Sequence, residues 1–275
     1  MPINALAAPS RGQPEPDKIE PKSEADLCVS EAAYWHHYYP QSDIHYEWKN
    51  GHLEKKPVSD YETFLVYKWF MSLLEHFLRT RPIAKLVGLE MGFRLPLPTG
   101  SVIRKPDLAL VRNDNPQPLL PRDASYRGVF DLCVEALSDQ ERGSIERDTV
   151  TKKAEYAAAG VPEYYILHRA PEQQTCYSRA ASGLYLPIPP QDGVIHSQVL
   201  PGFRFRLADL CTQPSVEAMQ DDPIYAAFVL PEWREARQRA AAEATARQQA
   251  EARAQEAEQA LARLQAQLRT LQGGD

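Results

Sequence analysis

Two acidic residues lie in stretches of the sequence that otherwise have the composition of buried β-strands. Asp107 lies in "KPDLALV" (residues 105–111) and Glu135 lies in "DLCVEALS" (residues 131–138). Removing a lone carboxylate from water costs several kcal/mol unless another group pairs with it. The sequence therefore predicts a partner for each of these two acids.

Two kinds of partner satisfy these requirements. Carboxylates at neighbouring strand ends repel each other unless a cation or a shared proton lies between them. A Mg²⁺ ion held by one or two carboxylates, with water and phosphate as further ligands, is a common arrangement in proteins. In the alternative, each acid forms a salt bridge with an arginine or caps a backbone group, and the role of both acids is then structural.

The elements around the acids begin with a hairpin and a long helix. Residues 43–56 alternate apolar and polar on both sides of Asn50-Gly51, which is the strongest short sequence signal for a two-residue hairpin turn. Residues 59–80 begin with a serine and an aspartate, and their apolar side chains then recur at helical spacing. This pattern predicts an amphipathic helix that ends before Pro82.

The middle of the chain predicts strands that carry the two acids. Strands are expected within residues 84–97, 101–111 and 129–138, and a helix is expected over residues 144–160, with Gly160 just beyond its last turn. Residues 161–168 then predict another strand. A strand, a helix and a strand in this order imply a right-handed crossover onto a parallel neighbour. The predicted fold class is α/β in the mixed α+β sense: a mixed sheet flanked by helices, with a long C-terminal helix.

The composition predicts one domain with two appended segments. The chain has 275 residues, of which 43% are apolar, and this is enough for one sizeable core. Residues 1–27 contain five prolines and show no apolar periodicity, so we expect a disordered N-terminal tail before a domain over residues 28–230. Residues 231–272 predict a long helix and a coiled coil, because Leu261, Leu264, Leu268 and Leu271 follow alternating steps of three and four. The alternative is a solitary, partly frayed helix.

Charge and motifs exclude several functions. The formal net charge is −6, so nucleic-acid binding would need a local basic patch, for which the candidates are Arg79, Arg81, Arg94, Arg104 and Lys105. In the alternative, these residues are charges scattered over the surface.

The sequence contains no GxGxxG, GxxxxGK[ST], HExxH or GxSxG string. Dinucleotide binding, P-loop chemistry, thermolysin-type zinc chemistry and α/β-hydrolase chemistry therefore lack their best sequence support. No signal peptide or membrane span is evident, and the four cysteines form no CxxC pair, so we expect a cytoplasmic protein with free thiols.

Four segments between residues 43 and 168 resemble one known family in the same order. These are "HYEWKNGHLE", "KPDLALV", "DLCVEALS" and "RDTVTKKAEYAAAGVPEYYIL". The ordered set resembles the Uma-two-type restriction endonuclease family, a branch of the PD-(D/E)xK nuclease superfamily. The resemblance implies a restriction-endonuclease-like fold.

The resemblance also implies roles for particular residues. It makes Asp107 and Glu135 the ligands of Mg²⁺ or Mn²⁺. The superfamily's lysine would lie two residues after the second acid, but that position is Leu137, and the family places a lysine on the next helix, which corresponds here to Lys152. Neighbouring Lys153 points about 100° away around a helix, so only one of the two would face the site.

An acid from the N-terminal elements often completes sites of this superfamily. Glu47 matches the acid of the family's opening hairpin, and Glu54 and Glu62 are the further candidates. The family tends to carry a histidine near the start of the next helix, and this chain has Glu62 there instead.

Three functions fit these residues. The first is a metal-dependent endonuclease that acts on nucleic acid, with DNA preferred over RNA. The second is a catalytically silent DNA-associated or assembly module that keeps the fold and forms a homo-oligomer through its C-terminal helix. The third is a metal-dependent hydrolase of a small phosphate ester, which fits the negative net charge better than binding of a long duplex does.

Overall fold

The computed structural model describes residues 23–41, 44–56, 59–98, 100–138 and 142–272. The strands are β1 (Tyr46–Lys49), β2 (His52–Lys55), β3 (Ala84–Val87), β4 (Phe93–Leu97), β5 (Gly100–Arg104), β6 (Leu108–Arg112), β7 (Leu132–Ala136), β8 (Glu163–Leu167), β9 (Thr175–Arg179), β10 (Tyr185–Pro187), β11 (Val194–His196) and β12 (Arg204–Arg206). The helices are α1 (Glu31–Ala33), which continues as a π-helical turn (Tyr34–Tyr38), then α2 (Tyr61–Thr80), α3 (Arg142–Glu146), α4 (Lys153–Ala159), α5 (Asp209–Thr212), α6 (Val216–Asp221) and α7 (Pro231–Gln272). A π-helical turn (Arg147–Lys152) joins α3 to α4, and a 3₁₀ turn (Pro171–Gln173) precedes β9.

The strands form a four-stranded sheet in the order β2-β1-β5-β4, a six-stranded sheet in the order β10-β9-β8-β7-β6-β3, and a two-stranded sheet of β11 and β12. Strands β7 and β8 are parallel, whereas β6 pairs antiparallel with β7 and β9 pairs antiparallel with β8. The six-stranded sheet is therefore mixed. This architecture confirms the predicted fold class and the crossover between β7 and β8.

The hairpin and the first long helix lie where the sequence predicts them. Asn50 and Gly51 join β1 to β2 with φ values of 47° and 95°, a left-handed geometry that suits asparagine and glycine. Helix α2 begins after Asp60, whose Oδ1 accepts a hydrogen bond of 2.8 Å from the Thr63 amide. Phe70 and Phe77 on its apolar face are fully buried in the core that the helix shares with the six-stranded sheet.

Two of the predicted strand segments divide between sheets. Residues 101–111 form β5 and β6, which belong to different sheets and are separated at Pro106. Residues 84–97 form β3 and β4, also in different sheets, and the link between them includes Leu89 and Glu90 at φ values of 54° and 55°. Within these two segments the chain passes twice between the sheets, and the second passage, at Pro106, directly precedes Asp107.

Disorder is predicted for residues 1–27, of which residues 1–22 lie outside the described residues. Residues 23–27 adjoin the hairpin, where the Asp26 amide donates a 2.8 Å hydrogen bond to the Leu53 carbonyl. At the other end, α7 spans 42 residues and is about 63 Å long, so the predicted C-terminal helix is present. No helix among the described residues is long and apolar enough to cross a membrane.

Candidate active site

Asp107 and Glu135 meet at one edge of the six-stranded sheet. Leu108 of β6 pairs with Val134 of β7 in antiparallel register, so Asp107 just before Leu108 lies across from Glu135 just after Val134. The backbone amide of Ala136 donates a 2.7 Å hydrogen bond to Oδ2 of Asp107. The structure therefore brings the two predicted acids together on adjacent strands.

A lysine that the sequence analysis did not single out pairs with Asp107. The Lys56 Nζ atom lies 2.8 Å from Asp107 Oδ1 and 3.4 Å from Glu90 Oε1, and it donates a 2.8 Å hydrogen bond to the Lys105 carbonyl. Burial alone would lower the pKa of Lys56, but the charges of Asp107, Glu135 and Glu90 raise it above its ordinary value. Burial likewise opposes ionisation of Asp107, and Lys56 and Lys152 nevertheless lower its pKa. Asp107 is thus a carboxylate paired with a charged ammonium.

Glu135 is buried and has two partners. Its Oε2 atom lies 2.9 Å from Lys152 Nζ, and its Oε1 atom accepts a 2.8 Å hydrogen bond from the Tyr156 hydroxyl. Burial raises the pKa of Glu135 to about 8, with Asp107 acting in the same direction and Lys152 opposing it. Additional positive charge beside Glu135 would therefore stabilise its ionised form.

Lys152 points into this cluster and Lys153 does not. Besides Glu135, the Lys152 ammonium lies 3.1 Å from Asp148 Oδ1 and 3.7 Å from Glu47 Oε1, and the side chain is 1% exposed. Asp148, Lys152 and Tyr156 lie four residues apart along the helical segment, and all three side chains face inward. The Lys153 ammonium instead lies 4.3 Å from the centre of the Tyr177 ring. The expected difference in orientation between the two lysines is confirmed.

The three N-terminal acids have different positions. Glu47 is buried, accepts a 2.8 Å hydrogen bond from the Lys105 amide, and lies 2.9 Å from Arg104 Nη1. Burial alone would raise the pKa of Glu47, but Lys152 and Arg104 hold it well below its ordinary value. Glu54 contacts the same guanidinium from the solvent side. Glu62 is exposed and pairs with Arg169, so it does not join the cluster.

Arg104 belongs to the interior rather than to a basic surface. Its side chain is fully buried, and its Nε atom lies 2.7 Å from Oε2 of Glu155 in addition to the contacts with Glu47 and Glu54. The interpretation of Arg104 as part of a nucleic-acid-binding patch is therefore wrong. Sequence composition could not reveal this, because the partners of Arg104 lie about fifty or more residues away in the chain.

The oxygen atoms of this cluster suit a hard divalent cation. Among the described residues, no group of three or more His, Cys, Asp or Glu side chains is arranged to hold a metal ion. Asp107 and Glu135 nevertheless supply two carboxylates on neighbouring strands, and one or two carboxylates are the usual protein contribution to a Mg²⁺ site. Oδ1 of Asp148 is buried and makes no hydrogen bond within the described part of the chain, and the charges near it are the Lys152 ammonium at 3.1 Å and the Arg147 guanidinium at 3.6 Å. The donor set thus fits the metal that the resemblance implies.

Comparisons with known proteins show the family of the chain and a similar fold. Residues 32–208, more than half of the chain, match the model of the Uma2 family, which is described as "Putative restriction endonuclease". The fold is similar to the crystal structure of a putative nuclease belonging to DUF820 from Anabaena variabilis, with 14% identity and a TM-score of 0.50, over 63% of this chain and 93% of that chain. No match was found among curated proteins.

Proposed function

The chain belongs to the Uma2 family, which supports a nuclease function in general terms, and we propose more specifically that it is a metal-dependent endonuclease. It would hydrolyse phosphodiester bonds of nucleic acid, with DNA as the preferred substrate. The observation that carries this proposal is the convergence of three side chains: Asp107 and Glu135 lie on adjacent strands, and the Lys152 ammonium lies 2.9 Å from Glu135.

Asp107 and Glu135 would hold the metal, Mg²⁺ or Mn²⁺. When bound, such an ion supplies positive charge to the phosphate and lowers the pKa of a water molecule. The protein's own contribution is to fix the two carboxylates. The Ala136 amide orients Asp107, and the Tyr156 hydroxyl orients Glu135.

Lys152 is the proposed catalytic cation. It is held by Asp148 and Glu47 as well as by Glu135, so its ammonium has a fixed position inside the site. A preorganised cation can steady the attacking water or the negative charge that develops on the phosphate. The proposed role of Glu47 in the site is then to position Lys152.

The second candidate is a catalytically silent DNA-associated or assembly module. The observation in its favour is that lysines already pair with both acids, Lys56 with Asp107 and Lys152 with Glu135. Such a cluster is also the result expected if these residues only stabilise the fold. Cleavage of DNA on addition of a divalent metal distinguishes the two candidates.

We also propose that the chain forms a homo-oligomer through α7. Leu261, Leu264 and Leu268 are each more than half exposed on this helix, with spacing typical of a coiled-coil seam. The predicted domain limits, a domain over residues 28–230 and a coiled coil over residues 231–272, remain part of this proposal. All four cysteines are free thiols, which fits the proposed cytoplasmic location.

A further inference from the structure

A pocket of about 250 Å³ opens directly beside the proposed metal ligands. Asp107 and Ala136 form one side of it. Phe64 and Tyr67 from α2 and Leu89 from the link after β3 supply the large apolar side chains of its wall, which Ser59, Thr63 and Glu90 complete. Asp107 therefore belongs both to the charged cluster and to this pocket, and a group bound at Asp107 has the apolar wall within reach.

The rim of the pocket exposes large apolar side chains. Phe64 is 47% exposed, and the ring of Tyr61, which is 72% exposed, stacks on it with 6.2 Å between the ring centres. Leu89 is fully exposed. Exposure of these apolar side chains to water does not stabilise the fold, and such a group of side chains often marks a binding site. Their position beside the acids therefore favours a ligand with an apolar face.

The backbone that presents Leu89 is in an unfavourable conformation. Leu89 and Glu90 are adjacent non-glycine residues with φ values of 54° and 55°, in a region that costs an L-residue about 1–2 kcal/mol. Glu90 is held there by contacts with Lys56 and His45. Such strain persists where the surroundings enforce it, and it is common at ligand sites.

The charge around the pocket does not suit a long duplex. Among the described residues that line it, none is a lysine or an arginine, and the nearby Lys56 ammonium is already paired with the two lining acids, Asp107 and Glu90. Duplex binding depends largely on phosphate contacts with basic side chains. An unpaired base offers another source of affinity, because it can stack on an aromatic ring, and a paired base cannot reach such a pocket without leaving its helix.

We propose that this pocket receives an unpaired nucleobase next to the phosphate that is cleaved, so that the preferred substrate is single-stranded DNA or an unpaired segment of DNA. The inference rests on the proposed nuclease function. Phe64, extended by Tyr61, supplies the stacking surface, and Leu89 covers the opposite edge of the base. Tyr67 and Ala136 complete the apolar enclosure.

Binding of short DNA strands by the full chain tests this inference. The probe is a fluorescein-labelled 12-nucleotide single strand that contains 2-aminopurine, compared with the same sequence as a duplex, both in EDTA and in Ca²⁺. We expect tighter binding of the single strand and a change in 2-aminopurine fluorescence that reports stacking. Phe64→Ala should weaken this binding about fivefold or more, the lower limit for the loss of one base–aromatic stack.

Two further variants keep the test specific. Phe64→Trp should retain both the affinity and the fluorescence change. Leu186→Ala should leave them unchanged, because Leu186 is an exposed leucine on β10, at the opposite end of the six-stranded sheet from β3. Equal binding of duplex and single strand, no binding of the single strand, or equal effects of Phe64→Ala and Leu186→Ala would overturn the inference.

The same samples separate this inference from the proposed function. Cleavage of the single strand is measured in parallel after addition of Mn²⁺. Binding that depends on Phe64 without any cleavage would support the base pocket and contradict the nuclease proposal. Cleavage that does not depend on Phe64 would support the nuclease proposal and contradict the base pocket.

Discussion

The Lys56 ammonium lies 2.8 Å from Oδ1 of Asp107 and also binds the carbonyl of Lys105, on the other side of Pro106. Lys56 thereby holds the point where the chain passes from the four-stranded sheet into the six-stranded sheet. It also places a positive charge on the first proposed metal ligand. A divalent cation at Asp107 must therefore compete with this ammonium.

Replacement of Lys56 should make that competition measurable. Lys56→Met keeps an apolar stem and removes the charge, so in metal-free buffer the variant should be less stable, by up to about 3–5 kcal/mol, as expected when one partner of a buried pair is lost. Added Mg²⁺ should then raise its melting temperature more than that of the wild type. Lys85→Met is the matched control, because Lys85 is exposed and its ammonium donates a hydrogen bond to the Leu119 carbonyl, away from the acidic cluster. Equal metal-induced shifts in both variants would show that the ion does not bind at Asp107.

The two proposed ligands should account for the metal effect on stability. A protein that binds an ion only when folded gains about 2.7 kcal/mol at a free concentration of 100 times Kd. Asp107→Asn and Glu135→Gln should each abolish this gain in thermal unfolding measured with and without Mg²⁺ or Mn²⁺. Glu62→Gln should preserve it, because Glu62 is exposed and lies outside the cluster. Undiminished stabilisation of both site variants would refute the proposed metal site.

Glu47 and Glu54 should differ in their contribution to stability although both contact Arg104. Glu47 is 1% exposed and also faces Lys152, whereas Glu54 is 30% exposed. Glu47→Gln should lower the free energy of unfolding in urea by about 3–5 kcal/mol, because two buried cations lose a charged partner. Glu54→Gln should cost clearly less, since water replaces part of its contact. Similar costs for the two variants would contradict the assignment of Glu47 to the buried cluster.

The sequence predicted the elements that depend on local signals. Asn50-Gly51 fixed the hairpin, the spacing of apolar residues fixed α2, and strand, helix and strand order gave the parallel pair β7 and β8. The helical angle between adjacent residues also separated Lys152 from Lys153 correctly. These signals all lie within a few residues of the element that they predict.

The features that escaped prediction depend on contacts between distant residues. The apolar runs within residues 101–111 indicate strand but do not say which sheet each half joins, and Pro106 alone marked the division. Leu89 and Glu90 carry no glycine or asparagine signal for their positive φ values. Lys56 follows the hairpin in an exposed-looking "EKK" sequence, and only the assembled fold places it against Asp107.

The C-terminal helix should carry the association of the chain. Each leucine of the seam can bury apolar surface worth about 1.5–3 kcal/mol, so deletion of residues 260–275 should remove most of the driving force. We expect the full-length chain to sediment as a dimer or larger species and the truncated chain as a monomer. A monomer in both cases would identify α7 as a solitary helix, and an unchanged oligomer would place the interface elsewhere.

DNA cleavage by Lys152 and Lys153 variants tests whether the chain is a metal-dependent endonuclease with Lys152 as its catalytic cation. The measurement is the rate of phosphodiester cleavage of single-stranded and duplex DNA in EDTA, Mg²⁺ and Mn²⁺, at a temperature where every variant is folded. We predict cleavage that requires a divalent metal, a loss on the order of 10² or more in rate for Lys152→Ala, and little change for Lys153→Ala, whose ammonium lies over the Tyr177 ring. Metal-independent cleavage, equal losses in the two variants, or no cleavage of either DNA by the wild type in any metal would contradict the account.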